Sequence, residues 1–200
     1  MNFFLFLHEN INKPISAFLN SFTSNDFIKD IIFIFADAPI FLIPLFLAGY
    51  WIYFIIKKDN FNKENLLFIF YSTIVAILIS LFIQQIIHID RPETYLKNTG
   101  NLILKHIPDA SFPSDHASVS TAFLLSLFLF GYRKISYFIL PLFIIMLISR
   151  IAGGVHWFFD IITGVVVGTF SGFLVYKIKD FSILKNINKF ILKIANFIKL

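Results

Sequence analysis

The 200-residue chain is 58% hydrophobic and 14% charged, with a net charge of +5 and no cysteine, and its mean hydropathy is +0.79. This composition excludes an ordinary soluble domain and indicates an integral membrane protein, while the lack of cysteine excludes disulfides, thiolate nucleophiles and cysteine metal sites. The positive charge suits anionic lipid headgroups better than nucleic acid, because the basic residues sit beside apolar segments and form no soluble patch.

Met1 to Leu7 is apolar but has no basic flank and no small-residue cleavage site, so no cleaved signal peptide is expected. Residues 2–20 mix Phe and Leu with His8, Glu9, Asn10 and Lys13 and are interrupted by Pro14, which predicts an interfacial helix, with a sixth span as the alternative. Ser24 to Ala36 has the same character, with Ser24 as the expected N-cap. A spanning helix needs about 20 apolar residues, and Pro39 to Ile56 supplies them, with Trp51 and Tyr53 as an aromatic belt. The next span is Leu66 to Ile89, ended by Asp90-Arg91-Pro92, since proline disfavours helix in the residue before it.

Residues 93–113 are the longest polar connection, punctuated by Gly100, Pro108 and Pro113. Ser114 is placed to cap a span reaching about Tyr132. Ile135 to Ala152 and Trp157 to Lys177 follow, separated by a turn at Gly153-Gly154. The tail from Lys179 carries Lys185, Lys189 and Lys193 at four-residue spacing, the pattern of a basic amphipathic helix on an anionic surface. The expected fold is therefore all-α: a polytopic membrane helical bundle of five to six transmembrane helices over residues 38–178, interfacial N-terminal helices over 1–37, and the amphipathic tail over 179–200.

Of the 17 Lys and Arg residues, 11 fall at residues 57–63, 133–134 and 177–199, and the positive-inside rule assigns those ends to the cytoplasm. Three polar clusters then share the external face: Arg91-Pro92, Pro113-Ser114-Asp115-His116, and Ser149-Arg150 with His156 and Asp160. Ionisable residues are costly in hydrocarbon, so a cluster of them is first of all a functional-site hypothesis.

On a helix His156 and Asp160 would share one face, and a carboxylate bonded to one imidazole nitrogen leaves the other free to attack. A helix starting after Ser114 offers N–H groups and a positive dipole end to an anion. Arg91 and Arg150 add planar forks that match phosphate oxygens, and protonated His116 can give a proton to a leaving oxygen. This set describes phosphoryl transfer through a phosphohistidine better than acyl transfer or metal hydrolysis. Each residue alone has a plainer reading as interfacial anchor or cap, and His8, His88, Asp90 and His106 are read that way. A zinc site from His116, His156 and Asp160 lacks the HxxxH or HExxH pattern. Gly164, Gly168 and Gly172 continue the ridge of His156 and Asp160 at four-residue spacing, which predicts close helix packing inside the bundle.

At these residues the sequence resembles the type 2 phosphatidic acid phosphatase superfamily of membrane lipid phosphatases, over about residues 38–178. The family pattern runs Lys, six residues, Arg-Pro; then Pro-Ser-Gly-His; then Ser-Arg, five residues, His, three residues, Asp. The third part matches fully at Ser149, Arg150, His156 and Asp160. The resemblance implies a six-helix core, His156 as nucleophile oriented by Asp160, His116 as leaving-group acid, Arg91, Ser114 and Arg150 as phosphate ligands, and no metal or other cofactor. The sequence departs from the pattern at Gln84, which stands where the family lysine would be and leaves a contact that Lys105 is placed to supply, and at Asp115, which replaces the glycine. The Asp115 N–H can still bind phosphate, but its carboxylate would repel a dianion unless turned away.

The run Asp109 to His116 looks like the bacterial undecaprenyl-diphosphate phosphatases associated with bacitracin resistance. The implied substrate is a polyprenyl or other lipid phosphate in the bacterial inner membrane, acted on at its external face. A lipid A phosphatase or a phosphatidylglycerophosphate phosphatase would use the same chemistry. A non-catalytic lipid carrier or scramblase would keep the arginines but have no use for His156 with Asp160, and a vanadate haloperoxidase has little reason to sit in a bilayer.

Overall fold

The structure is a computed structural model that describes residues 3–96 and 110–198, and among these every regular element is helical. The order is α1 (Phe3–Leu7), a π-helical turn (His8–Asn12), α2 (Lys13–Ser21), α3 (Asp26–Asp37), a 3₁₀ turn (Ala38–Phe41), α4 (Leu42–Lys57), α5 (Asn60–Ile86), α6 (Glu93–Leu96), α7 (Asp115–Leu129), α8 (Arg133–Ala152), α9 (Phe158–Ile178) and α10 (Ser182–Phe197). Among the described residues four stretches are long and apolar enough to cross a membrane: Asp26–Lys57, Asn60–Ile86, Arg133–Ala152 and Phe158–Ile178, with Asp115–Leu129 as a shorter apolar helix.

The bundle is packed in the manner of a membrane protein, small polar groups inward and large apolar groups outward. Ser72, Ser80, Ser118, Ser126 and Ser171 are fully buried, whereas Leu78, Phe82 and Phe138 face out. Without water to drive apolar faces together, close approach of small residues and interhelical hydrogen bonds hold such helices, as at the 2.7 Å bond from Ser80 to Ser118 between α5 and α7. The glycine ridge of α9 is part of this packing: a Cβ on Gly164 would stand 2.6 Å from both the Ala117 Cβ and the Ser114 carbonyl. That contact fixes the start of α9 beside the start of α7.

Several boundaries differ from the sequence reading. The first candidate span begins at Asp26, capped by Asn25 rather than Ser24 through a 3.2 Å bond from Ile28 N, and Pro39 interrupts it with a 3₁₀ turn instead of starting it. Proline tolerates the first turn of a new helical segment, so the chain continues across the break. The fifth helix stops at Ile86, three residues early, and α7 ends at Leu129 with Gly131 in a left-handed conformation.

The tail does form an amphipathic helix, but its polar face is partly used inside the protein. Asn188 is fully buried, accepting from Tyr71 at 2.8 Å and donating to Glu64 at 3.3 Å, and Lys63 donates to Asn196 at 2.7 Å. The N-terminal segment likewise reaches the bundle. Asn20 donates to the Ala152 carbonyl at the end of α8, and Asn12 accepts from Phe159 N in the first turn of α9. Both bonds satisfy backbone groups that a helix terminus leaves unpaired.

Candidate functional site

The polar clusters converge where α5, α7, α8 and α9 end or begin. Two connections are stitched together there. Ser111 N donates to Ile89 O at 2.8 Å, Trp157 Nε1 donates to Asp90 O at 2.8 Å, and Ser114 N donates to Asp160 O at 3.1 Å. Arg91 is buried and donates to Val155 O at 2.7 Å and Ala110 O at 3.4 Å, so its guanidinium ties the two connections together.

Arg150 lies 1% exposed at the centre. Its Nη1 is 3.3 Å from His116 Nε2 and its Nη2 is 3.4 Å from His156 Nε2, so the fork stands between the two imidazoles. Arg150 Nη1 also donates to the Ala36 carbonyl and to Asp37, and its Nε is buried with no hydrogen-bond partner among the described residues.

The orientation of His156 differs from the sequence expectation. His156 lies in the connection before α9 rather than on the helix, and its Nδ1 is 2.9 Å from the Ser111 carbonyl but 3.7 Å from Asp160 Oδ2. A carbonyl can only accept, so Nδ1 carries the proton and Nε2 presents a lone pair toward Arg150. Asp160 instead accepts at 2.8 Å from Trp157 N, bracing the turn that carries His156. Burial, then the charges of Arg150 and Arg91, hold His156 well below the usual histidine range, and the ring is neutral at pH 7.

Ser114 caps α7, accepting from Ala117 N at 3.5 Å, and the N–H groups of the first turn mark the positive end of that helix. Gln84 does not replace the family lysine as a charge. Its Nε2 donates to Asp115 Oδ1 at 3.0 Å and to Pro113 O at 3.1 Å, which anchors a carboxylate whose charge still acts on Arg150. Lys105, His106 and Asp109 lie outside the described residues. His8 stacks edge-on against Trp157, while His88 and Asp90 are exposed. Among the described residues no group of three His, Cys, Asp or Glu forms a metal-binding cluster.

Two participants escaped the sequence reading. Ser111 acts through its carbonyl, which no side-chain pattern reveals. Asp37 stands at the junction of α3 and the 3₁₀ turn, and its Oδ1 lies 3.2 Å from His116 Nε2 as well as on Arg150. The available signal was a carboxylate two residues before Pro39 in an otherwise apolar run.

A neutral imidazole, a second imidazole and a buried guanidinium between them, all at a helix N-terminus within a membrane bundle, define a membrane phosphatase. The chain belongs to the PAP2 superfamily, whose sequence model matches residues 65–183. It is 27% identical over 174 residues to undecaprenyl-diphosphatase BcrC of Bacillus subtilis (strain 168), covering 85% of each chain. It is 29% identical to the putative undecaprenyl-diphosphatase YbjG of Escherichia coli (strain K12), covering 80% of this chain and 78% of that one. A relative from Bacillus licheniformis, 28% identical over 74% of this chain and 70% of its own, is named bacitracin transport permease protein BcrC. The crystal structure of Aquifex aeolicus LpxE has the same fold, with a TM-score of 0.63 at 18% identity over 84% of this chain and 95% of that one.

Proposed function

We propose that this protein hydrolyses the terminal phosphate of undecaprenyl diphosphate at the external face of a bacterial inner membrane, without a metal or other cofactor. The observation that carries the chemistry is the Arg150 fork between His156 Nε2 and His116 Nε2, at 3.4 and 3.3 Å. The terminal phosphate sits on Arg150, Arg91 and the first N–H groups of α7. His156 Nε2 attacks phosphorus, the bridging P–O bond breaks, and His116 gives its proton to the departing polyprenyl phosphate oxygen. Water then attacks the phosphohistidine while His116 takes its proton, which releases inorganic phosphate and frees His156.

An apolar groove of about 410 Å³ between α7, α8 and α9 runs from Ser120 and Leu147 away from the site to Phe128 and Tyr137, and suits a stretch of lipid tail beyond the headgroup. Ser120 lies at the same groove and donates to the His116 carbonyl at 2.6 Å, which links it to the site. The choice of substrate rests on the similarity to two chains named as undecaprenyl-diphosphatases. The external placement rests on the distribution of Lys and Arg. Lys63 and the α10 residues that bond to α5 share one end of the bundle, away from the buried cluster.

Purified protein in detergent, chelator present, is expected to release phosphate from undecaprenyl diphosphate faster than from a lipid A phosphate or phosphatidylglycerophosphate. A faster rate on either of those would reassign the substrate within the same chemistry. Lipid transport by His156→Ala protein, with no phosphate release by the wild type on any of the three lipids, would establish a carrier instead.

A further inference from the structure

We infer that Asp37, from the N-terminal segment outside the matched family region, is a positioning residue that keeps His116 loaded with its proton and aligned with Arg150. The inference rests on the phosphatase reading, because only there does His116 need to be an acid.

The two histidines have opposite requirements. A nucleophile must be neutral, and His156 meets that condition by burial and by handing its Nδ1 proton to a backbone carbonyl. An acid must hold a proton near neutral pH, yet His116 stands against a cation. Arg150 of α8 stands 3.3 Å from its Nε2, and Arg91 of the connection after α5 belongs to the same cluster. His156, between α8 and α9, is uncharged. Both arginines disfavour a second positive charge nearby.

The carboxylates of the cluster are Asp37 on α3, Asp115 on the same helix as His116, and Asp160 on α9 beside His156. Asp115 is engaged by Gln84, and Asp160 accepts from the Trp157 backbone behind His156. Asp37 instead places Oδ1 3.2 Å from His116 Nε2 and on Arg150 Nη1 together. One oxygen thus contacts the acid and the phosphate ligand, as a phosphate oxygen would. Its side chain is 48% exposed and sits where α3 gives way to the 3₁₀ turn, so the carboxylate can yield when phosphate arrives. The proton then stays on Nε2, facing the leaving oxygen.

The test is the titration of His116 itself, followed by NMR in detergent micelles on protein with labelled histidine, the resonance assigned by its loss in His116→Gln. In Asp37→Asn the proton affinity of His116 is expected to fall about tenfold or more, and Asp37→Glu should restore most of it. The basic limb of kcat/KM should move to lower pH in Asp37→Asn, with kcat recovering as the pH is lowered. A folded Asp37→Asn protein with an unmoved His116 midpoint overturns the inference. So does a variant whose only change is a lower KM, which would make Asp37 a competing anion. Wild-type protein that shows the His116 shift but releases no phosphate would sink the phosphatase reading and leave the pairing standing.

Discussion

At one end of the bundle Lys63 and Asn188 are buried, and each finds partners that leave little to do: Asn196 and the Trp51 ring for Lys63, Tyr71 and Glu64 for Asn188. At the other end Arg91, Arg150, His156 and Asp160 are buried just as deeply, but two cations and two imidazoles converge and Arg150 Nε is unpartnered among the described residues. Polar burial by itself therefore does not distinguish structure from function in this protein. The distinguishing feature is what converges: the first network pairs amide, phenol, carboxylate and amine groups, whereas the second sets the Arg150 fork between two imidazoles, with its Nε unpartnered among the described residues. A network of mutually paired groups stabilises a fold, and guanidinium groups set beside two imidazoles offer an anion a place to bind.

Changes at the two ends should separate accordingly. His156→Ala should lower phosphate release roughly 10³-fold or more while leaving the protein folded, as expected when a nucleophile is lost from a unit of coupled groups. Arg150→Lys should cost roughly 10²-fold in kcat/KM, since an ammonium cannot span both imidazoles as the fork does. Gln84→Leu should free the Asp115 carboxylate and raise KM about fivefold to tenfold through like-charge repulsion, with kcat nearly unchanged; steady-state kinetics on the three variants read these effects. At the Lys63 end Asn188→Ala should leave kcat intact and destabilise the protein by about 1–3 kcal/mol, because Tyr71 and Glu64 lose a buried partner, a difference seen in thermal unfolding in micelles.

The smallest effect is in the pH dependence of stability. His156 binds its proton less readily in the folded protein than in the unfolded chain, so its contribution is fully present above about pH 6.5 and is lost as the pH falls below that value. Unfolding midpoints measured from pH 7.5 down to 5 should drop more steeply for the wild type than for His156→Asn. An Asn188→Ala protein should keep the wild-type slope, because it retains His156.

The charged members of the site were legible because they are rare in so apolar a chain and because their spacing follows the chemistry. Arg91, Ser114, His116, Arg150, His156 and Asp160 all lie in one cluster, and the span boundaries around them fall within a few residues of the expected ones, apart from the first. What the sequence concealed was pairing over distance. Asp37 meets Arg150 across 113 residues, Asn20 meets Ala152 across 132, and Asn12 meets Phe159 across 147. Each is a lone polar residue whose periodicity says which way a helix is wet and not what it touches. Lys63 shows the same limit, since a lysine at a helix start reads as a surface charge and only tertiary packing puts it 2% exposed under α10. His156 and Asp160 stand 3.7 Å apart, farther than a hydrogen-bonded pair, for a local reason: four-residue spacing implies a shared face only if both residues are helical, and α9 begins after His156.

The most direct test of the central claim is to mix the protein with undecaprenyl diphosphate labelled in its terminal phosphate, stop the reaction within milliseconds under alkaline conditions, and map the label by mass spectrometry. A phosphoryl group on His156, absent from His156→Ala and discharged on continued incubation, is the predicted result. Release of phosphate by His156→Ala at the wild-type rate, or label on another residue, would contradict it.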